Sequence, residues 1–372
     1  MRRIALVCDW YHPRRGGIEA HLAGLAIHLR ARGDEVHVIT STPGPAMIDG
    51  VAVHRLDVAR MPWFGVAVQP IARRIGEILE REKIDVVHNH VSIIAPVALS
   101  GGFEANRRRL PNVLTFHSFV PLTPVWAGLA GRLMGASNWP ATMTAVSARV
   151  VREVSAFAPH TRFSILPNAI DTAFWTPSDA PPPRDEVTLV YAGRLQVKKR
   201  PLLLLDALEG LRRSAPSIRF RLRVIGTGDL EKTLRARAID QDLAGHVDFI
   251  GWVKPVELRE LLRSSSMFLS TATRESFGLA ALEARAVGAP VVAMRDSAVA
   301  DFIVHEQSGL LADDDASFVS AVIRLATDTV LRNRITAHNR ATPVPFSWDN
   351  TLALHDDAYA RATANVASGQ HR

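Results

Sequence analysis

The sequence predicts an α/β protein of two doubly wound, Rossmann-like domains facing across a cleft. Short apolar, β-forming runs alternate with helical stretches along most of the 372 residues. That alternation implies parallel sheets covered by helices on both faces. It is interrupted at Thr176-Pro177-Ser178-Asp179-Ala180-Pro181-Pro182-Pro183-Arg184, the richest turn-and-linker stretch, and then starts again. The expected division is a first domain over 1–176, a linker over 177–184, a second domain over 185–345 and a C-terminal helical segment over 346–372. The last segment is expected to pack back on the first domain.

Composition narrows the class. An apolar content of 47% is that of an ordinary globular protein, and the chain is long enough for two cores. Cys8 is the one cysteine, which excludes a disulfide framework and fits a reducing compartment. The chain enters its first strand without a targeting segment, and no run of about eighteen apolar residues occurs. A cytoplasmic location is the expectation. The net charge is +7, and residues 1–184 hold 20 Lys+Arg against 14 Asp+Glu. Such an excess attracts anionic lipid, phosphorylated substrate or nucleic acid. No nucleic-acid module accompanies it, so no nucleic-acid partner is expected.

In chain order, strands are predicted over 4–9, 35–40, 51–56, 86–90, 113–117, 142–146 and 163–166, and helices over 17–31, 70–82 and 147–157. In the second half, strands are predicted over 187–191, 220–225, 247–250, 267–270 and 290–293. Helices are predicted over 200–212, 229–239 and 255–262, and another is expected to begin near Ser276.

Ligands in such sheets sit beyond the carboxyl ends of the strands, and the residues there carry chemistry. Glu275-Ser276-Phe277-Gly278-Leu279 leads into a helix-forming run ending at Glu283, with seven residues between the two acids. A helix starting near Ser276 leaves N–H groups free for an anion and puts Glu283 roughly 10 Å further along. One ligand with a sugar, a diphosphate and a ribose fits that layout; an incidental pair of surface acids is the plain alternative. Gly193-Arg194-Leu195, with Lys199, follows the first strand of the second domain. These cations either hold phosphate oxygens or form a solvated loop. Gly226-Thr227-Gly228 is either a ligand loop or a tight strand-to-helix turn. Around Ile250, a strand end offers a place where a flat base stacks and its edge is read by the backbone.

In the first domain, Gly16 and Gly17 open the first helix, where backbone approaches a ligand closely and an anion is favoured. The segment lacks the GxGxxG dinucleotide fingerprint. His117, at a strand end, is either a sugar ligand or a structural histidine. His88 and His90 alternate on one strand face as a metal chelate would, with no third ligand evident. Asp313-Asp314-Asp315 reads as a helix cap before 316–326 rather than a metal triplet.

Taken together, these motifs resemble those of the retaining family-4 glycosyltransferases of GT-B fold, over nearly the whole chain. Gly16-Gly17-Ile18-Glu19 is similar to their N-terminal glycine loop, and Pro167-Asn168-Ala169-Ile170-Asp171 to their PNGxD segment, with Ala169 in place of glycine. Gly193-Arg194-Leu195 with Lys199 resembles their diphosphate motif, and Glu275 through Glu283 their E-x7-E motif. The resemblance implies an acceptor-binding first domain and a second domain that binds a nucleotide-sugar donor. It implies catalytic roles for His117, Arg194, Lys199 and Glu275. Donor contacts are implied for Gly16, Gly17, Gly226, Ile250, Phe277, Gly278, Leu279 and Glu283. Arg194 and Lys199 neutralise the leaving diphosphate, Glu283 holds the ribose, and His117 meets the donor sugar. No metal and no cofactor are required by these motifs.

Where the family commonly has GGxPE, this chain has Ser297-Ala298-Val299-Ala300-Asp301, which bears on sugar identity. The first domain is also similar to that of phosphatidylinositol sugar transferases around Phe116-His117-Ser118-Phe119. Apolar stretches at 61–64 and 119–126, with Arg107-Arg108-Arg109, suit contact with an anionic membrane surface. The expected reaction moves a hexose or N-acetylhexosamine from a UDP- or GDP-sugar to a hydroxyl acceptor that is a lipid or lipid-linked glycan. The alternatives are a soluble acceptor, a sugar-nucleotide epimerase of the same fold, and a non-catalytic binder. The last is disfavoured because its charged donor contacts would have been lost.

Overall fold

A computed structural model describes residues 1–57, 68–92, 95–119, 139–156, 158–178 and 186–368. The chain divides into two compact units, 1–169 with 346–372, and 170–345. Residues 170–176, assigned from sequence to the first domain, cluster with the second unit.

The first unit is built on strands β1 (Arg3–Cys8), β2 (Glu35–Thr40), β3 (Met47–Ile48), β4 (Val51–Arg55), β5 (Val86–Val91), β6 (Asn112–Phe116), β7 (Thr142–Ala145) and β8 (Ser164–Ile165). They form one sheet in the order β3-β4-β2-β1-β5-β6-β7-β8, parallel except for the β3–β4 hairpin. Side chains alternate across β1. Ile4, Leu6 and Cys8 pack with Leu22, Leu25, Trp348 and Tyr359 on one face. Ala5 and Val7 pack with Ile75, Leu79 and Val97 on the other. Burial on both faces is why these strands read as nearly continuous apolar runs.

Three helices of this unit are α1 (Gly17–Ala31), α2 (Val68–Arg81) and α3 (Pro96–Arg107). The α3 helix was not anticipated from sequence. Its start is capped from a distance: the Asp9 carboxylate accepts N–H bonds from Val97 at 3.0 Å and Ala98 at 3.3 Å. Burial nevertheless pushes the Asp9 carboxyl up to about 7. The C-terminal helix Trp348–Ala367, capped by Ser347, lies against this unit, with Trp348, Tyr359 and Ala362 in its core.

The second unit carries β9 (Val187–Ala192), β10 (Phe220–Ile225), β11 (Val247–Gly251), β12 (Met267–Ser270), β13 (Val291–Met294) and β14 (Gly309–Ala312). Its all-parallel order is β11-β10-β9-β12-β13-β14. In units of chain order this is 3-2-1-4-5-6, the doubly wound arrangement whose ligand crevice lies where the winding reverses, between the first and fourth strands. Leu189 and Tyr191 of β9 pack with Leu204, Leu208, Phe318 and Val322 in its core.

Candidate active site

In the second unit the winding reverses between β9 and β12, and both chemistry-bearing loops leave the sheet there. After β9 comes Gly193-Arg194-Leu195 and a single 3₁₀ turn, Val197–Lys199. After β12, the Thr271 hydroxyl donates to the Lys199 carbonyl at 2.7 Å, tying the two loops together. Lys199 Nζ then donates to Glu275 Oε2 at 2.5 Å. Arg194 is half-buried, and its guanidinium has no hydrogen bond or ion pair among the described residues. A partly desolvated cation without a counter-ion is a ready acceptor of anionic ligand oxygens.

The acidic stretch differs from expectation in one respect. Its helix runs Leu279–Ala286, three residues later than predicted, because Gly278 takes the left-handed conformation (φ 90°) as N-cap. A Cβ there would lie 2.6 Å from Val299 Cγ2, so the position is restricted to glycine by both conformation and space. No side chain caps the helix. The first turn therefore still offers N–H groups, now those beginning at Leu279. Glu283 is half-buried and makes no side-chain hydrogen bond among the described residues. Loss of hydration pushes its carboxyl up to about 7. Phe277 is buried beside Phe302, so it anchors the loop with its ring.

Gly226 has a packing role that the sequence left open. The β9 and β10 loops interlock: Gly193 N–H donates to the Ile225 carbonyl (3.0 Å) and Leu195 N–H to the Thr227 carbonyl (3.0 Å). Gly226 sits at φ 118°, and a Cβ would lie 2.0 Å from the Gly193 carbonyl oxygen. Ile250 is the extra residue of a β-bulge. Val224 pairs with Phe249 and Ile225 with Gly251, so Ile250 has no partner in the register with β10. It belongs to β11, the edge strand.

In the first unit the corresponding reversal lies between β1 and β5. Gly16 and Gly17 follow β1, and Gly16 is the N-cap of α1 with no side-chain cap. Gly16 is extended (φ 177°), so close approach, not a special conformation, is what a glycine provides there. His117 follows β6 and is 2% exposed. It belongs to a cluster of five buried histidines: His21 on α1, His88 and His90 on β5, His117, and His355 on the C-terminal helix. His90 Nδ1 and His117 Nε2 share a hydrogen bond of 2.9 Å. The His117 ring lies 5.6 Å from His21, centroid to centroid. Burial is the main cause that lowers every one of these pKa values, His117 to about 3 and His355 to about 4.

His88 is occupied by Tyr359 (3.0 Å) and Thr115 (2.7 Å). Among the described residues, no group of three or more potential ligands is arranged to hold a metal. Asp314 caps the helix Asp315–Thr327 through Ser317. The basic run 107–109 is less free than its sequence indicates. Arg107 and Arg108 both bond Glu104, and Arg108 also reaches Glu80 at 3.1 Å. The apolar residues 61–64 and 120–126 lie outside the described residues. Among the described residues, no helix is long and apolar enough to cross a membrane.

Two doubly wound units with charged and glycine-bearing loops at the winding reversal define a protein of GT-B fold. The chain belongs to the family-4 and group-1 glycosyltransferases: residues 15–174 match the model described as Glycosyltransferase Family 4, and residues 177–342 match Glycosyl transferases group 1. It is 28% identical to the D-inositol 3-phosphate glycosyltransferase of Acidothermus cellulolyticus, over 99% of this chain and 94% of that protein. It is also 28% identical to a subunit of the phosphatidylinositol N-acetylglucosaminyltransferase of Arabidopsis thaliana, over 97% of this chain and 82% of that protein. Among solved structures, a Rickettsia africae glycosyltransferase superposes with a TM-score of 0.79 at 16% identity, over 97% of this chain and 98% of that one. Anabaena HepE, in complex with UDP and glucose, gives 0.73 at 18% identity over 99% of each chain.

Proposed function

We propose that the protein is a retaining transferase that moves a hexose or N-acetylhexosamine from a nucleotide-diphosphate sugar to a hydroxyl acceptor, without a divalent metal. The observation that carries this reading is Arg194, half-buried and unpaired among the described residues, following the same strand β9 as Lys199, with Lys199 bonded to Glu275. In this reading the diphosphate binds to Arg194 and Lys199, and Glu275 exchanges Lys199 for a donor-sugar hydroxyl. The ribose hydroxyls supply the partner that Glu283 lacks. The acceptor oxygen attacks the anomeric carbon from the face that the diphosphate leaves. The carbon–oxygen bond to phosphate breaks, and the departing phosphate oxygen takes the acceptor proton. The protein then acts by positioning and by fixed charge.

The acceptor in this reading is a lipid or lipid-linked glycan, with peripheral contact between the protein and an anionic membrane on its cytoplasmic face. The name of the Arabidopsis relative supports a lipid-borne acceptor. A soluble acceptor is the second reading, supported by the name of the Acidothermus relative.

The test is thermal stabilisation and hydrolysis with UDP-, GDP- and ADP-sugars, with and without EDTA, followed by transfer to phosphatidylinositol vesicles or inositol 3-phosphate. One nucleotide class should stabilise the protein independently of EDTA. No response to any nucleotide sugar overturns the reading, and donor rearrangement without acceptor favours an epimerase. Lys199→Ala should lower transfer about 10²–10³-fold, the usual effect of removing one charge-stabilising group, with an unchanged melting temperature. Near-normal rates would remove Lys199 from the reaction.

A further inference from the structure

We propose that His90 is a positioning residue for the transfer reaction, holding His117 in one orientation and coupling the tautomers of the two rings. This rests on the transferase reading and on the part His117 has in it. His90 stands on β5, the fifth strand of the first unit, beside the winding reversal, and His117 follows the neighbouring strand β6. Their rings share the 2.9 Å bond between His90 Nδ1 and His117 Nε2, and both side chains are almost fully buried.

The far nitrogens of both rings, His90 Nε2 and His117 Nδ1, are buried with no protein partner. Buried polar atoms are nearly always paired, so each of these nitrogens has a bond left for a substrate group or a water to complete. A neutral imidazole has one N–H and one lone pair. If His90 donates across the shared bond, His117 must carry its proton on Nδ1 and offers a donor there. If His117 donates, its Nδ1 is an acceptor and His90 Nε2 carries a proton. The shared bond therefore decides whether His117 Nδ1 gives or receives a hydrogen bond, as the orienting partner of a catalytic histidine does in other enzymes.

The surroundings keep the pair neutral. His21 from α1, His88 from β5 and His355 from the C-terminal helix are the titratable groups nearest to it, and each is itself buried. His355 Nδ1 donates to the Thr351 carbonyl at 2.9 Å, which leaves its Nε2 an unpaired acceptor.

The test uses the full chain with UDP-glucose, UDP-N-acetylglucosamine and GDP-mannose as probes, reading nucleotide release. The variants are His90→Ala, His90→Asn, His117→Ala and the double His90→Ala/His117→Ala, with Lys199→Ala as a control on the reading itself. His90→Ala should lower kcat about 10–100-fold, below the usual span for a proton-handling group, with KM for the donor within about threefold. His90→Asn places an amide near the position of Nδ1 and should recover most of the loss. The double variant should be no slower than His117→Ala. In side-chain ¹⁵N spectra, His117 should hold one tautomer in the parent and a mixture in His90→Ala. Parent-like kcat in both folded His90 variants, or multiplicative losses in the double variant, overturns the proposal. Full activity in Lys199→Ala and His117→Ala overturns the reading on which it rests.

Discussion

Arg194 and Lys199 are close in sequence but carry their charge differently. Lys199 is neutralised by Glu275, whereas the Arg194 guanidinium has no partner among the described residues. A diphosphate binding here must compete with Glu275 for Lys199 but meets Arg194 unopposed. Glu275→Gln should therefore tighten binding of the free nucleotide diphosphate about 2–5-fold, the worth of a partly exposed ion pair, while slowing transfer. Calorimetric titration with UDP and GDP measures the first effect, and weaker binding in the variant would contradict it. The residues of the proposed donor site were legible as candidates because they follow short apolar strands, where such sheets take ligands. The histidine cluster was legible only as the pair His88 and His90 on one strand, since His21, His117 and His355 come from other elements and join them only after folding. Nor did the sequence indicate that Glu283 is desolvated, because burial belongs to the packing around its helix.

At the scale of single elements, the helix Leu279–Ala286 shows how one residue sets a boundary. Its sequence favours a start near Ser276, yet the left-handed Gly278 delays it to Leu279. Gly278→Ala should cost at least about 1–2 kcal/mol for the backbone conformation alone, and the approach to Val299 adds to that. Chemical denaturation measures the loss, and an unchanged midpoint would refute it. Helix α3 was missed for the opposite reason: its cap, Asp9, stands some ninety residues away. The C-terminal helix makes stability depend on pH through His355. An unfolded histidine takes a proton near its ordinary value of 6.5, whereas folded His117 and His355 resist it down to about 3 and 4. The unfolded chain binds more protons within that window. His21, His88 and His90 are lowered in the same way, whereas Asp9 and Glu283, raised to about 7, act in the opposite sense over the same window. The five histidines outnumber the two carboxyls, so stability falls as pH drops from 6.5 toward 4, each group contributing about 1.4 kcal/mol per pH unit in its own direction. Melting temperatures between pH 7.5 and 5 measure this, and a flat profile in that range would refute it.

At the scale of the whole molecule, the chain completes the first unit only after traversing the second. Trp348 and Tyr359 fill the core of a sheet whose strands lie within residues 3–165. The segment 170–345, expressed alone, should melt cooperatively, whereas 1–169 alone should not. Joining 346–372 to 1–169 through a Gly/Ser linker should restore a cooperative transition. Calorimetry of the three pieces measures this, and a cooperative transition in 1–169 alone would refute it. The restart of the α/β pattern made the two-fold organisation legible from sequence, but the exact crossing at 169 and 170 was not, because the Pro-rich stretch drew the boundary later. The order of synthesis then has an unusual result. Residues 1–169 leave the ribosome first, but the helix that closes their core follows about 200 residues later, about 10–40 s at ordinary elongation rates. The half that is made second is thus the first able to reach its native state, and the half made first must wait with an open apolar face. A chaperone that shields nascent apolar surface is expected to bind this chain chiefly through residues 1–169, and to be released once the helix Trp348–Ala367 has emerged.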